Sequence, residues 1–289
     1  MTHWKKFITA GLAVLGTAAL IAGCSGNAGS SHSAGSLQSA PEKAFVIGLD
    51  DNFPPFGFHD KQGNLVGFDV DMAKEAARRM GVKAEFKPID WSAKEAELKG
   101  HKIDAIWSGL SITPQREENM LFSRPYQNAR QIILVKEDSP IRSKSDLAGK
   151  TVGTQEGSTG LAAINKDTDM KAQLKDLKLY SDNVSGFMDL KIGRIDAMVV
   201  AEVVALYYNH QNQAGFRVVD GGYDFVPTGV GIAKDNQALK DQLDKALESM
   251  HETEPPPKFQ RNGLGKILQS NKGDGRYDME KWAAAGLMA

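Results

Sequence analysis

Short apolar runs and amphipathic stripes alternate along most of this chain. Phe45-Val46-Ile47-Gly48-Leu49 has the length and composition of a buried strand, and it runs into Asp50-Asp51-Asn52-Phe53-Pro54-Pro55-Phe56, a loop fixed by two prolines. Phe56, Phe58, Gly63 and Gly67 predict a hairpin. A helix follows, capped by Asp69 or Asp71, with Met72, Ala73, Ala76, Ala77 and Met80 on one face and Gly81 as its stop. Ala84 to Pro88 reads as the next strand, and Asp90-Trp91 leads into a helix from Ser92 in which Glu95 completes a capping box. Ile103, Ala105 and Ile106 mark a further strand. Beyond it the same reading predicts strands at 131–135, 150–154, 195–200, 216–219 and 229–233. Helices run through Leu161, Ala162 and Ile164, then near Phe187, Leu190 and Ile192 up to Gly193, and then through Leu239, Leu243, Ala246, Leu247 and Met250. Pro255-Pro256-Pro257 must break this last helix, and Leu264, Ile267, Leu268 and Trp282 point to one or two more.

Two of the strand starts are near copies. Lys102-Ile103-Asp104-Ala105-Ile106 and Arg194-Ile195-Asp196-Ala197-Met198 stand 92 residues apart, each after a short helical segment that ends in Gly. Two α/β lobes of similar build, each presenting loops at the carboxyl ends of parallel strands, place a ligand in the crevice between them. The stretch Trp107-Ser108-Gly109-Leu110-Ser111-Ile112-Thr113-Pro114-Gln115-Arg116 follows the first copy. Thr113 suits a helix cap and Pro114 its first position. Backbone N–H groups, hydroxyls and the Arg116 guanidinium then face one small volume, which suits a carboxylate. The other reading of this stretch is a surface turn whose Arg116 pairs with Glu117 or Glu118.

Composition narrows the class. With 289 residues and 41% apolar content the chain exceeds one typical core, in keeping with two lobes. Lys+Arg at 35 against Asp+Glu at 36, with no basic tract, sets nucleic-acid binding aside. Residues 1–23 read as an export signal: Lys5-Lys6, an apolar run from Phe7 to Ala22, and then Leu20-Ile21-Ala22-Gly23-Cys24. That closing stretch resembles a bacterial lipobox, in which Cys24 becomes the lipidated first residue. The apolar run is short for a membrane-spanning helix of about 20 residues. Cys24 is the only Cys, so an internal disulfide is excluded. Residues 24–41 form a Ser/Gly/Ala-rich tether that holds the domain about 20–25 Å from the membrane.

Motifs of catalysis are missing. No HExxH, paired CxxC, phosphate-binding P-loop or GxSxG is present, and the six His residues are scattered without metal-ligand spacing. Ser158, in the Gly-rich turn Gln155-Glu156-Gly157-Ser158-Thr159-Gly160, has no His or Lys nearby in sequence to activate it. The expectation is a protein without catalytic residues, cofactor or metal.

Phe53-Pro54-Pro55-Phe56-Gly57-Phe58, Gly67-Phe68-Asp69-Val70-Asp71, Ile103-Asp104-Ala105, Gly109-Leu110-Ser111-Ile112-Thr113 with Arg116, Phe122-Ser123 with Pro125-Tyr126, and Gly193-Arg194-Ile195-Asp196-Ala197 together resemble the polar amino-acid-binding family of ABC importer substrate-binding proteins. The match runs in order over about residues 45–250. The resemblance implies a two-lobe periplasmic-binding-protein-like fold, α/β, with one lobe from 42–127 plus 228–289, the other from 128–227, and two hinge crossovers. It implies that Arg116 binds the ligand α-carboxylate with Ser111, Ser158 and Thr159 nearby, and that Phe53 and Trp91 sandwich the ligand. Gly109 offers its carbonyl to the α-ammonium, while Asp50 and Gln155 face the ligand side chain. The family's usual ammonium-binding Asp is replaced by Ala201, with Glu202 next to it as a candidate acceptor. The expected ligand is a polar amino acid of the glutamine, cystine or arginine type. The expected partner is an ABC permease, met by a monomer that is lipid-anchored on the extracytoplasmic face of the cell membrane. The competing readings are an exported dehydratase similar to cyclohexadienyl dehydratase, or a binder of a ligand that lacks an α-amino group.

Overall fold

The computed structural model describes residues 44–252. The export signal, Cys24, the tether and the tail beyond Glu252 lie outside the described residues. Two mixed sheets carry the chain. The first has the strand order Lys83–Pro88, Ala44–Leu49, Ala105–Ile106, Gly231–Ala233, Met120–Phe122. The second runs Asp176–Tyr180, Thr151–Gln155, Ala197–Ala201, Gln127–Lys136, Phe216–Val219. In each, the first three strands are parallel and the fourth lies antiparallel to the third. The fold is therefore two lobes of one topology.

The sequence echo has a structural cause. Asp104 N–H donates to Val46 O at 2.8 Å while its carboxylate accepts from Val46 N at 2.8 Å. Asp196 does the same to Thr151, with both bonds again 2.8 Å. Each Asp extends the parallel ladder past the point where its own strand begins, satisfying a backbone N–H at the start of the neighbouring strand. The apolar residues that follow fill the sheet: Ala105 and Ile106 in one lobe and Ala197, Met198 and Val199 in the other are fully buried.

The chain crosses between the sheets twice. It leaves Met120–Phe122 for Gln127–Lys136, and it returns from Phe225–Thr228 to Gly231–Ala233. The two crossing segments pair antiparallel, Thr228 opposite Gln127 and Phe225 opposite Arg130. Ser111 bridges Thr228 from the other side, and Gly229 N–H donates to Leu110 O at 3.0 Å. The connection is thus a two-stranded ribbon stitched to the turn that precedes Arg116.

Local differences from expectation follow from competing partners. The helix Phe68–Met80 starts at Gly67 rather than at an Asp cap. Gly67 has φ 135°, and a Cβ there would lie 2.3 Å from Phe56 O, so only Gly fits. Asp69 is turned inward instead. Asp90 caps a short 3-10 turn, Trp91–Ala93, and the helix Lys94–Lys99 follows it, so no Ser92/Glu95 box forms. The hairpin is present as a small sheet of Asn52–Phe53, Gly57–His59 and Leu65–Val66. The elements the sequence pattern does not predict are the strands Met120–Phe122, Asp176–Tyr180 and Phe225–Thr228, the 3-10 turn Lys144–Leu147 and the helices Thr168–Gln173 and Glu202–Asn212.

Candidate functional site

The carboxyl ends of the central strands of both lobes open into one cleft, closed on one side by the crossing ribbon. Asp50, Phe53, Trp91, Gly109, Ser111 and Arg116 face it from the first lobe. Gln155, Ser158, Thr159 and Ala201 face it from the second. The lobes also touch directly across it. Gln155 Nε2 donates to Asp50 Oδ2 at 2.7 Å, Thr159 Oγ1 donates to Ser111 Oγ at 3.0 Å, and Arg116 Nη2 donates to Gly157 O at 3.2 Å.

Arg116 is positioned as its local sequence predicts. Thr113 caps the helix Pro114–Glu117 by accepting from Arg116 N, and Pro114 takes the first turn. The guanidinium is 8% exposed and donates from Nη1 to Ser111 O at 2.9 Å. Its carboxylate partner is Glu95 at 3.6 Å, not Glu117 or Glu118, and Glu95 is itself 43% exposed. Burial lowers the Arg116 pKa, and Glu95 opposes that shift. Lys94 stands behind it, 2% exposed, donating to Trp91 O at 3.0 Å and to Gly157 O at 2.9 Å. Two cations therefore share the Gly157 carbonyl. Burial first, and then Arg116, pulls the Lys94 ammonium down to about 8.

The other end is built around Asp50. Its carboxylate accepts from Asn52 N at 2.9 Å as well as from Gln155, whose Oε1 accepts from Asn183 Nδ2 at 3.0 Å. Burial pushes the Asp50 carboxyl up to about 6 against these bonds. Gly109 stands between the two ends at φ 58°, where a Cβ would lie 2.9 Å from the Phe53 ring. Its N–H donates at 2.6 Å to Asp69, a buried carboxyl that Tyr126 OH also reaches at 3.1 Å. Burial raises Asp69 to about 7.

Glu202 is the one expected site residue that the fold takes elsewhere. The chain turns into a helix at this residue, and its carboxylate forms a bidentate pair with Arg130, which lies over the Phe225 ring at 5.1 Å. Ala201 faces the cleft in its own right. Gln127, Ala129 and Gln131, alternate residues of one crossing strand, face the cleft and were not expected. Gln127 is 4% exposed and its Nε2 has no hydrogen-bond partner among the described residues. Their alternation was the available signal, hidden by a polar run that reads as loop.

Two α/β lobes of one topology, joined by a paired ribbon and touching across a polar cleft, define an interlobe solute-binding protein. The sequence profile of the bacterial extracellular solute-binding proteins, family 3, matches residues 45–260, and the chain belongs to that family. Among relatives, it is 35% identical to the lysine/arginine/ornithine-binding periplasmic protein of Escherichia coli (strain K12), over 78% of this chain and 88% of that one. It is 30% identical to the L-cystine-binding protein TcyJ of the same strain, over 75% of this chain and 81% of that one. An ancestral arginine-binding protein bound to arginine superposes with a TM-score of 0.70 at 38% identity, over 80% of this chain and 99% of that one. The ancestral amino acid-binding protein AncCDT-1, a precursor of cyclohexadienyl dehydratase, superposes with a TM-score of 0.68 at 32% identity, over 78% and 94% of the two chains.

Proposed function

We propose that this protein is a lipid-anchored binding protein on the extracytoplasmic face of the cell membrane that holds a polar amino acid between its lobes and delivers it to an ABC permease. Arg116 carries this reading. A buried guanidinium whose carboxylate partner is half exposed and 3.6 Å away is poorly compensated, and a ligand carboxylate supplies the missing charge. The hydroxyls of Ser111 and Thr159 lie alongside it, the helix beginning at Thr159 contributes its N-terminus, and Phe53 and Trp91 give aromatic walls. Asp50 and Gln155 take the polar end of the ligand. Names of the relatives support the amino-acid class, and Cys24 with the apolar run before it supports the lipid anchor.

A thermal-shift screen of the protein against amino acids tests this reading. A ligand at about 100 times its Kd stabilises by about 2.7 kcal/mol, a shift of several degrees. An absence of any shift across the proteinogenic amino acids and their carboxylate analogues at millimolar concentration contradicts it. One observation favours a second reading, an exported dehydratase: Asp50, with its carboxyl raised to about 6 inside the cleft, has the protonation a general acid needs. Incubation with prephenate or arogenate separates the two, since only an enzyme releases product.

A further inference from the structure

The charge around the cleft is unevenly placed. Of the described residues that face it, Arg116 and Asp50 are the only charged ones, and they hold different partners: Ser111 O, Gly157 O and Glu95 for Arg116, Asn52 N and Gln155 for Asp50. Strand order sets the direction of the cleft. In the second lobe Gln155 ends Thr151–Gln155, Ala201 ends the neighbouring Ala197–Ala201, and Gln131 lies opposite Ala201 on the next strand over. The Asp50 carboxylate sits with Gln155 and Asn183 at one side, while Ser111, Thr159 and the crossing ribbon mark the other.

The Arg116 end is hostile to a second cation. Lys94 and Arg116 already share one carbonyl there. The two facing strands offer Ala129 with the neutral amides of Gln127 and Gln131 on one, and Ala201 on the other, with no carboxylate among them. Gln127 sits opposite Thr228, which bridges Ser111, the residue whose carbonyl Arg116 holds. Its buried Nε2, without a partner among the described residues, is a donor that calls for an acceptor. Glu202 is withdrawn into its pair with Arg130. A carbonyl such as that of Gly109 can accept from an ammonium, but it does not neutralise the charge, and an uncompensated cation in a closed cleft is costly.

We infer that the cleft selects amino acids whose only cationic group is remote from the carboxylate: ω-amino or ω-guanidino carboxylates that place their carboxylate on Arg116 and their cation on Asp50, without an α-ammonium. This rests on Arg116 as the carboxylate partner. The neutral wall of Gln127, Gln131 and Ala201 excludes the α-ammonium, and the Gln127 amide donates to the second carboxylate oxygen.

Calorimetric titration of the full chain with L-arginine and with δ-guanidinovalerate, its analogue without the α-amino group, tests the inference directly. The expected result is that δ-guanidinovalerate binds at least tenfold more tightly than L-arginine. L-arginine binding as tightly as δ-guanidinovalerate, or more tightly, overturns it. So does binding of L-glutamine when neither guanidino compound binds, and in that case Arg116 as the carboxylate partner still stands. Failure of all three compounds to bind overturns this inference and leaves the parent reading to the amino-acid screen. The variant Ala201→Asp adds a second readout. It should shift the affinity ratio at least tenfold toward L-arginine, and an unchanged ratio contradicts the role given to the neutral wall.

Discussion

Asp50 and Asp69 are both buried acids whose protons the folded protein holds more tightly than the unfolded chain, and they make opposite contributions to stability and to binding as pH changes. Their ordinary value is 3.8, and burial lifts them to about 6 and about 7. With the proton bound more tightly in the folded state, stability falls as pH rises from about 4 through those values, because each step buries a charge. Denaturant melts of the ligand-free protein should therefore show lower stability at pH 7 than at pH 5. Asp69→Asn, which mimics the protonated acid toward Gly109, should flatten that slope, and an equal slope in the variant contradicts the assignment. Binding runs the other way. A cationic ligand needs ionised Asp50, so its affinity should weaken by up to about tenfold per unit as pH falls below 6. Neutral-ligand affinity should stay level over the same range. The residues of this site were legible to different degrees. Arg116 was readable because Thr113 and Pro114 announce the helix start that aims it. Lys94 was not, because a Lys on a short helix reads as surface until Gly157 of the other lobe covers it.

Among the elements, the paired strand starts are the most informative. Asp104 and Asp196 perform the same ladder extension in each lobe, and Asp104→Ala should cost about 1 kcal/mol for the lost bond to Val46, measured as a shift in the denaturation midpoint. Asp196→Ala should cost less, since Asp196 is exposed to water that can replace it. Absence of any effect in both variants would detach the echo from the fold. This repeat was visible in the sequence because two positions needed the same polar residue ahead of an apolar run. The helix Glu202–Asn212 was hidden for the opposite reason. Val203, Val204, Tyr207 and Tyr208 favour strand locally, and the helix forms because it buries Val203, Val204 and Ala205 against the lobe. The sequence pattern starts the crossing strand at Gln131, four residues late, since Gln127 to Arg130 hold no apolar residue larger than Ala129. Its pairing with Phe225–Thr228 is a long-range contact that no local pattern announces.

For the molecule as a whole, the described residues place a neutral-walled cleft between two lobes, and Cys24 in the sequence ahead of them is the proposed anchor. Cys24→Ala should move the protein from the membrane fraction to the soluble one; unchanged retention assigns anchoring to the apolar run itself. Interlobe closure draws on Asp50–Gln155, Ser111–Thr159 and the Arg116 contact with Gly157, so ligand binding and lobe contact stabilise one another. The most direct test of the account is calorimetric titration of the wild type and of Arg116→Met with the tightest amino-acid ligand that the screen returns. Removal of one member of a buried charge pair should weaken binding by about 2–5 kcal/mol. The variant should remain folded, with its far-ultraviolet circular dichroism unchanged. A folded variant that loses less than tenfold in affinity places the ligand carboxylate elsewhere and contradicts the account.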